Sequence, residues 1–329
     1  MKKIPGVVFI VTLAASLLVL DVYAQEAQSG AATCNRACLI NLVDAYLSAL
    51  VAHDPERVPI ADNARFVENT TALLPGAGLW KDAAEVPTTF RIYVPDPVTQ
   101  QVGFLGVMKA TVTVENKQEV RPVLLALRLQ LEHGKISEME HLLARNLGER
   151  NLPNLLVPRK GLLTMVPEAE RIPHAELIRI GQTYYDALVG DSGSLAPFAD
   201  DCVRRENGIQ TTNNPPPKDG DTGMSLFGAM GCARQLDTNI FSYIDSIGNR
   251  RVEIADPETG LVFGLSHFRH SMVNKKVTIT GVPGVTEREM NYNPFDLPAA
   301  HIFKVTGGKI HEIEAMGFTA PYNASTGWE

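Results

Sequence analysis

The sequence predicts an α+β protein in which one domain occurs twice in tandem, each copy with helices on one face of a curved antiparallel sheet. The first observation is an internal repeat, since residues 46–69 align without a gap with residues 184–207. Later blocks continue the alignment in the same order, pairing residues 91–105 with 251–265 and 134–140 with 308–314. Three collinear blocks indicate two copies of one domain. The second observation is that each copy opens with a helical pattern and continues with strand patterns.

Within the first copy, a helix precedes a run of strands. Apolar residues recur at helical spacing from Cys38 to Val51, and His53-Asp54-Pro55 ends that pattern. Turns rich in Asp, Pro and Gly then separate strand candidates at 65–69, 90–93, 102–113, 123–131 and 136–143. A helix followed by hairpin-linked strands favours an α+β domain with its helices on one face of the sheet.

The predicted domain borders follow from the repeat. We place the first domain at 34–145, a proline-containing linker at 146–170 and the second domain at 171–329. The second copy carries 22 extra residues (160 minus 138) between Asn207 and Arg251, and 14 more (174 minus 160) around 274–298. Long loops in a domain of this size are often pocket rims, and they are equally often inert. The sequence leaves both readings open.

The first 24 residues have the pattern of a secretory signal peptide. Met1-Lys2-Lys3 is basic, Ile4 to Leu20 is almost wholly apolar, and Val22-Tyr23-Ala24 resembles a cleavage site. A membrane anchor is the alternative, although 17 residues is short for a spanning helix. Cleavage would change the net charge from -7 to -8, because two lysines and one aspartate are lost. We therefore expect a secreted or periplasmic protein that binds neither nucleic acid nor, after cleavage, the membrane.

All four cysteines lie after this segment, and an even number in an exported chain favours disulfides. Of the three possible pairings, we predict Cys34–Cys38 with Cys202–Cys232. The second disulfide would cross-link the longer insertion to the rest of the second domain. A zinc site is the rival, but no CxxC occurs and no His lies at ligand spacing. Nucleotide-binding glycine motifs are also missing. We predict no metal and no cofactor.

The ordered motifs resemble the SnoaL-like branch of the NTF2-like superfamily. They are Tyr-x-x-Ala-Leu in the helix, an Asp-Pro hairpin and a final Gly-Lys-Ile-x-Glu strand, which occurs at 134–138 and 308–312. The combination is also similar to a group of secreted SnoaL-like proteins. The resemblance implies two cone-shaped domains, in which a bent sheet and N-terminal helices enclose an apolar pocket. Members of this superfamily include cofactor-free isomerases, cyclases, dehydratases and lyases as well as binding modules, so fold does not determine function.

Comparison of the two copies singles out two histidines. His301 aligns with Leu127, on the strand face that also carries Phe303, and His267 aligns with Val107. Neutral imidazole accepts a proton near pH 7, as general acid–base catalysis requires. We therefore predict that both rings face the second pocket as base and acid. The alternatives are that each is a core histidine bonded to a backbone carbonyl, or that the other face of the strand is the one that points into the domain.

Further candidates accompany the histidines. Glu206 would orient the substrate or act as a base, and the predicted substrate-binding residues are Asn207, Tyr184, Asp237, Tyr243 and Arg251. Glu206, Asn207 and Arg251 have counterparts in the first copy, so a structural role is also open for them. For Arg251 and its counterpart Arg91, an ion pair with Asp62/Asp200 or with Asp96/Asp256 is the simpler interpretation. The lesser candidates, in the first domain, are Glu68, Asn69, Arg91 and His141.

These patterns predict an exported, cofactor-independent enzyme that performs acid–base chemistry on a small, largely apolar or aromatic molecule with oxygen functions. Isomerisation, hydration or dehydration, and retro-aldol cleavage are the reaction classes. A non-catalytic binding module and a structural pseudo-dimer are the alternatives, and a homo-oligomer is possible.

Overall fold

The computed structural model describes residues 33–218 and 223–329. The predicted signal peptide lies outside these residues. In the part of the chain that the structure describes, no helix is long and apolar enough to cross a membrane.

The first domain begins with helix α1 (Arg36–Val51) and continues as one mixed sheet. Its sheet order is β2-β1-β7-β6-β5-β3, and β4 pairs with β5 outside this path. The bounds are β1 Ile60–Glu68, β2 Thr71–Leu73, α2 Leu79–Asp82, β3 Ala83–Glu85, β4 Arg91–Asp96, β5 Gln101–Val114, β6 Lys117–Glu132 and β7 Lys135–Ala144.

The second domain repeats this plan with additions. Its sheet order is β10-β11-β14-β15-β8-β9, β16 pairs with β14, and β12 and β13 form a separate ribbon. The bounds are α4 His174–Val189, β8 Phe198–Glu206, β9 Ile209–Gln210, α5 Met224–Gly228, α6 Cys232–Leu236, β10 Ser246–Asp256, β11 Leu261–His270, β12 Lys276–Thr278, β13 Glu287–Glu289, β14 Phe295–Thr306, β15 Lys309–Gly317 and β16 Ala320–Pro321.

The predicted fold class, two α+β domains in tandem, is confirmed. One detail differs from the expected antiparallel sheet, because β1 pairs with β7 in parallel and β8 pairs with β15 in parallel. The chain leaves the helix and enters the sheet beside the last strand of the domain, in the same direction. All other pairings within the two large sheets of the described residues are antiparallel.

Each long helix packs its apolar side on one face of its sheet. The side chain of Asn35 caps α1 by accepting a hydrogen bond from the backbone N–H of Cys38, which satisfies one of the free donors of the first turn. Tyr46 and Leu50 of α1 are fully buried, as are Leu177 and Tyr185 of α4. This face of each sheet forms the interior of its domain.

The opposite faces of the two sheets pack against each other. An apolar cluster joins residues of both domains across this contact, including Leu105, Leu124, Phe263 and Ile302. The ring of Phe263 lies so close to the Cα of Gly103 that a side chain there would collide with it. Both faces of each sheet are therefore buried.

Two polar contacts between the domains are related by the repeat. Arg36 bonds Asp256 at 2.9 Å, and the residue aligned with it, His174, bonds Asp96 at 2.6 Å. Asp96 and Asp256 are themselves aligned, so each domain contributes one nitrogen-bearing side chain and one carboxylate to equivalent places. The domains therefore meet with approximate two-fold symmetry.

The segment that connects the two sheets in the sequence contains short helices at Leu152–Leu155, Lys160–Leu163 (α3) and Glu168–Glu170. Its Arg159 donates hydrogen bonds to the carbonyl oxygens of Val203 and Ile313, which attaches the segment to the second sheet. The exact residue limits given above for the two domains and the linker remain a prediction.

Both predicted disulfides are confirmed. Cys34 and Cys38 are joined with a Cα–Cα distance of 5.3 Å, and Cys202 and Cys232 with one of 5.7 Å. Two disulfides suggest an oxidising, extracellular environment for this protein.

Candidate functional site

A cavity of about 170 Å³ lies inside the second domain, between α4, the inner face of the sheet and the longer insertion. Its wall consists largely of apolar side chains, and the insertion contributes Phe241 and Ile244. The insertion therefore forms part of the rim. Six ring-bearing side chains line the cavity: Tyr184, Phe241, Tyr243, Phe268, His270 and His301.

Small residues explain why the second domain has this space. Ala299, Ala315 and Gly317 line the cavity, and the repeat aligns them with Leu125, His141 and Leu143 of the first domain. The strand registers agree, because Ala299 pairs with Gly317 as Leu125 pairs with Leu143. In the first domain these larger side chains fill the interior together with Tyr46 and Trp80, all at most 1% exposed.

His301 projects from β14 into this interior, as predicted. Its Nδ1 lies 3.1 Å from the hydroxyl of Tyr185, and its ring packs against Tyr184 at 5.2 Å between centroids. Burial, with a further contribution from the nearby Arg204 charge, lowers the pKa of His301 to about 3. The imidazole is therefore neutral near pH 7 and serves as a hydrogen-bonding group.

We expect NMR titration to show His301 neutral down to about pH 4, because its pKa of about 3 lies well below the ordinary value of 6.5. A histidine buried in its neutral form binds its proton more weakly when the protein is folded. Folding stability should therefore fall as pH decreases from about 6.5 towards 3. The variant His301→Leu, which restores the residue of the first domain, should reduce this loss. An unchanged acid dependence of the free energy of unfolding would contradict the assignment.

Arg204 is the fixed positive charge of the cavity. It lies at the end of β8, is only 2% exposed and stacks on Phe241 with its guanidinium carbon 4.9 Å from the ring centre. Its Nε lies 2.8 Å from Glu206 Oε1 and 3.0 Å from Thr211 Oγ1. Burial tends to lower the pKa of Arg204, but Tyr184 and Glu206 outweigh it and raise the pKa, so the guanidinium stays charged.

His270 is a second neutral imidazole in the wall. It stacks on Phe295 at 4.1 Å between centroids and lies against Tyr243 at 5.5 Å. Burial lowers its pKa. Its Nδ1 is buried without a hydrogen-bond partner among the described residues.

Two tyrosines complete the polar set. Burial raises the pKa of Tyr184 to about 12, so its hydroxyl stays protonated and can donate a hydrogen bond into the cavity. The pKa of Tyr243 is also raised by burial. Both side chains line the cavity, as predicted.

The prediction that His267 faces the same pocket is wrong. Successive residues of β11 alternate between the two faces, and the cavity lies on the face of Phe268 and His270. His267 points to the other face, towards the first domain, where its Nε2 lies 2.9 Å from Asp296 Oδ2. The structure therefore does not bring His267 and His301 together.

Asp237 and Arg251 do not line the cavity either. Asp237 accepts a hydrogen bond from the backbone N–H of Gly193 at 2.8 Å, because it follows α6 on the outer side of the insertion. Arg251 forms two hydrogen bonds of 2.6 Å with Glu140 of the first domain. The alternative pairing of Arg251 with Asp200 or Asp256 is thus also incorrect.

Among the residues that occur in both copies, Glu206 lies at the cavity, whereas Asn207 and Asn69 have a structural role. Glu206 lines the cavity with a half-exposed carboxylate. Asn207 also lines it, but its amide bonds the backbone of Gly317 in both directions, at 2.9 and 3.0 Å. Asn69 bonds Leu143 in the same way, at 3.2 and 2.7 Å. The asparagines therefore link two neighbouring strands in each domain.

Two of the lesser candidates of the first domain, Glu68 and His141, form a hydrogen-bonded chain with Tyr46. The Tyr46 hydroxyl lies 2.9 Å from His141 Nε2, and His141 Nδ1 lies 3.1 Å from Glu68 Oε2. Arg91 is elsewhere, 3.3 Å from Asp44 Oδ1 on α1. It therefore pairs with neither Asp62 nor Asp96.

Two residues of the cavity wall are not among the predicted candidates, although the repeat marks them. Arg204 aligns with Phe66, and His270 with Ala110. Each is a polar or charged residue at a position where the first copy has an apolar one, which is the criterion that selected His301. Within residues 33–218 and 223–329, no three His, Cys, Asp or Glu side chains come together as a metal site.

Comparison with known proteins gives one family match. The model of the family described as "Domain of unknown function (DUF8021)" matches residues 32–143 and 170–317. No curated protein matches the chain.

Several solved structures are similar over part of the chain. A provisionally assigned polyketide cyclase from Silicibacter sp. TM1040 is 13% identical over 44% of this chain and 90% of its own, with a TM-score of 0.27. A provisionally assigned polyketide cyclase from Xanthomonas campestris pv. campestris is 15% identical over 44% and 90%, with a TM-score of 0.28. A provisionally assigned hydroxylase from Streptomyces galilaeus is 13% identical over 41% and 92%, also with a TM-score of 0.28.

Proposed function

This chain belongs to the DUF8021 family, and we propose that its second domain binds a small oxygenated molecule and catalyses proton transfer on it without a cofactor. One observation carries the proposal. Four positions in or next to this cavity carry polar or charged side chains where the aligned residues of the first domain are apolar: Arg204 for Phe66, His270 for Ala110 and His301 for Leu127 in the wall, and Tyr185 for Leu47, which contacts His301. Buried polar groups carry a free-energy cost, so their accumulation around one space favours function over packing.

The size of the cavity limits the ligand. Its volume of about 170 Å³ is close to that of an engineered cavity of roughly 150 Å³ in another protein that holds benzene. We therefore propose a ligand with about one six-membered ring. The apolar and aromatic walls suit a largely apolar or aromatic molecule.

The polar side chains suit a ligand whose oxygen gains negative charge. Arg204 is charged, and the raised pKa of Tyr184 (about 12) keeps its hydroxyl as a donor. Both can bind the oxygen of a carbonyl group and stabilise the enolate that forms when a neighbouring C–H proton is removed. His301, held by Tyr185, would orient the same molecule.

The base is better assigned to Glu206 than to a histidine. A pKa of about 3 makes His301 a weak base at neutral pH. Glu206 lies at the cavity with its carboxylate 2.8 Å from Arg204. In this proposal the C–H proton passes to Glu206 and the electron pair to the carbonyl oxygen. Return of the proton to another carbon gives isomerisation, and loss of a leaving group gives elimination.

A binding module is the second candidate, and the lowered pKa values of His270 and His301 favour it. Both imidazoles are then permanent neutral contacts for a bound molecule. The carboxyl group of Glu206 separates the two candidates. Glu206→Gln should leave ligand affinity nearly unchanged in either case, and it should abolish turnover only if the protein is an enzyme.

The substitution Ala299→Leu tests the location of the site. A thermal-shift screen of one-ring ketones, enones and phenols should first identify a ligand of the wild-type protein. Leucine at this position restores the first-domain residue and occupies part of the cavity. Overfilling a site costs about 1–3 kcal/mol, so we expect ligand affinity to fall about 10- to 100-fold.

Leu125→Ala in the first domain is the matched control. It should reduce the free energy of unfolding by about 3–5 kcal/mol, because it creates a cavity in a filled core, and it should leave ligand affinity unchanged. Unchanged affinity in Ala299→Leu together with lost affinity in Leu125→Ala would place the site in the first domain and overturn the proposal.

A further inference from the structure

The inserted segment of the second domain supports Arg204. A guanidinium inside an apolar domain needs acceptors, because burying an unpaired charge is costly. The first domain offers no such support, since its aligned residue is Phe66. Among the described residues, Arg204 also contacts Glu206 and Tyr184, and its two further side-chain acceptors, Thr211 and Gln235, both belong to the insertion. Phe241, on which the guanidinium stacks, belongs to it as well.

Gln235 is held in a single orientation. Its side chain lies in α6 and is 2% exposed. The Oε1 atom accepts a hydrogen bond from Nη2 of Arg204. The Nε2 atom donates to the carbonyl oxygens of Thr211 at 2.7 Å and Phe227 at 2.9 Å. Because both ends of the amide are used, Gln235 cannot turn without losing hydrogen bonds.

The Cys202–Cys232 disulfide connects the two elements that meet at this contact. Cys202 lies on β8, two residues before Arg204, and Cys232 opens α6, three residues before Gln235. The bond therefore joins the strand that carries the cation to the helix that carries its acceptor. Thr212 adds a second link, since its hydroxyl accepts from the backbone N–H of Arg204 at 2.7 Å.

We propose that Gln235 is the positioning residue for Arg204, and that the Cys202–Cys232 disulfide holds Gln235 within reach of the guanidinium. The role of Arg204 towards a ligand rests on the proposed function, but the positioning itself does not. This positioning makes the shape of the cavity depend on an insertion that the first domain lacks and on a disulfide that joins the insertion to β8.

The ligand-free full chain allows a direct test. Arg204 helps to lower the pKa of His301, so the imidazole resonances of His301 report whether the guanidinium is in place. In Gln235→Met, which keeps most of the side-chain volume, the His301 titration should move upward by about 0.5–1 pH unit. The Nε–H resonance of Arg204 should also shift. Reduction of the disulfide should produce the same changes in the same direction.

Gln210→Ala is the control, because Gln210 lies in the same insertion and its side chain donates to the carbonyl oxygens of Thr212 and Asn213. It should leave the His301 titration unchanged. Gln235→Ala is a second variant, for the case that Gln235→Met does not fold. Circular dichroism verifies that each variant is folded. His301 titrations that match the wild type in both folded Gln235 variants would overturn the proposal.

The two proposals fail separately. If His301 shifts in the Gln235 variants but no compound binds the wild type, positioning stands and the proposed function fails. If a ligand binds the wild type and Gln235→Met equally well with an unmoved His301, positioning fails and the proposed function stands.

Discussion

Replacing Arg204 by phenylalanine, the residue of the first domain, is expected to lower turnover of any substrate about 100- to 1000-fold. Loss of one preorganised donor to a developing oxyanion typically has an effect of this size. Among the described residues of the cavity wall, Arg204 alone brings a buried positive charge. An aromatic ring at this position cannot donate to an oxygen. If the protein only binds its ligand, the same substitution should weaken the affinity for oxygenated ligands more than for plain hydrocarbons.

The adjacent arginine provides the control. Arg205 follows on the same strand and points away from the cavity, near Arg159 and Glu314. Arg205→Phe should therefore leave turnover and affinity close to those of the wild type. Steady-state kinetics and calorimetric titration measure both quantities. Equal losses in the two variants, or full activity in Arg204→Phe, would show that the guanidinium does not act on the ligand.

Replacing Glu140 by alanine is expected to reduce the free energy of unfolding by about 3–5 kcal/mol, since it breaks a buried charge network and leaves its cations unpaired. Glu140 is 5% exposed and accepts two hydrogen bonds of 2.6 Å from Arg251 across the domain contact. Arg128 lies 3.5 Å from the same carboxylate. The loss should be measured by chemical denaturation.

Glu138→Ala is the matched substitution, because Glu138 also pairs with Arg128 but its side chain is 29% exposed. A partly exposed pair contributes about 1 kcal/mol or less. Equal costs for the two alanine variants would mean that the domain contact does not depend on the buried carboxylate.

The contribution of Glu140 should also depend on pH. Burial raises the pKa of this carboxyl, but Arg251 and Arg128 outweigh burial, so its pKa lies below the ordinary 4.5. A lowered pKa means that the stabilisation is present above about pH 4.5 and is lost as the pH falls through the folded-state value. Glu140→Gln should flatten this part of the stability profile.

The repeat and the element order predict the architecture because both depend on local patterns. Helical spacing in α1 and alternation in β6 are visible in any single copy, and the second copy repeats them. His301 was placed correctly because Leu127, Leu129 and Leu131 define an apolar face opposite the polar Arg128 and Gln130.

The same reasoning failed for His267, for a physical reason. Both faces of β11 are buried, one against α4 and the insertion and the other against the first domain. Alternation of apolar residues then no longer identifies the interior. Arg251 was misplaced because its partner, Glu140, lies 111 residues away in the other domain. Such a contact depends on how the two sheets meet, which no single strand pattern specifies.

The matched contacts of Arg36 with Asp256 and of His174 with Asp96 bear on how such a molecule can evolve. In a symmetric homodimer, every substitution occurs in both subunits, so the cost of burying a new charge arises twice. In one continuous polypeptide, the halves are free to diverge. One half can keep a dense interior that maintains the shared contact, while the other accumulates costly polar groups around an open space. Covalent fusion thus permits a division of labour that identical subunits cannot reach.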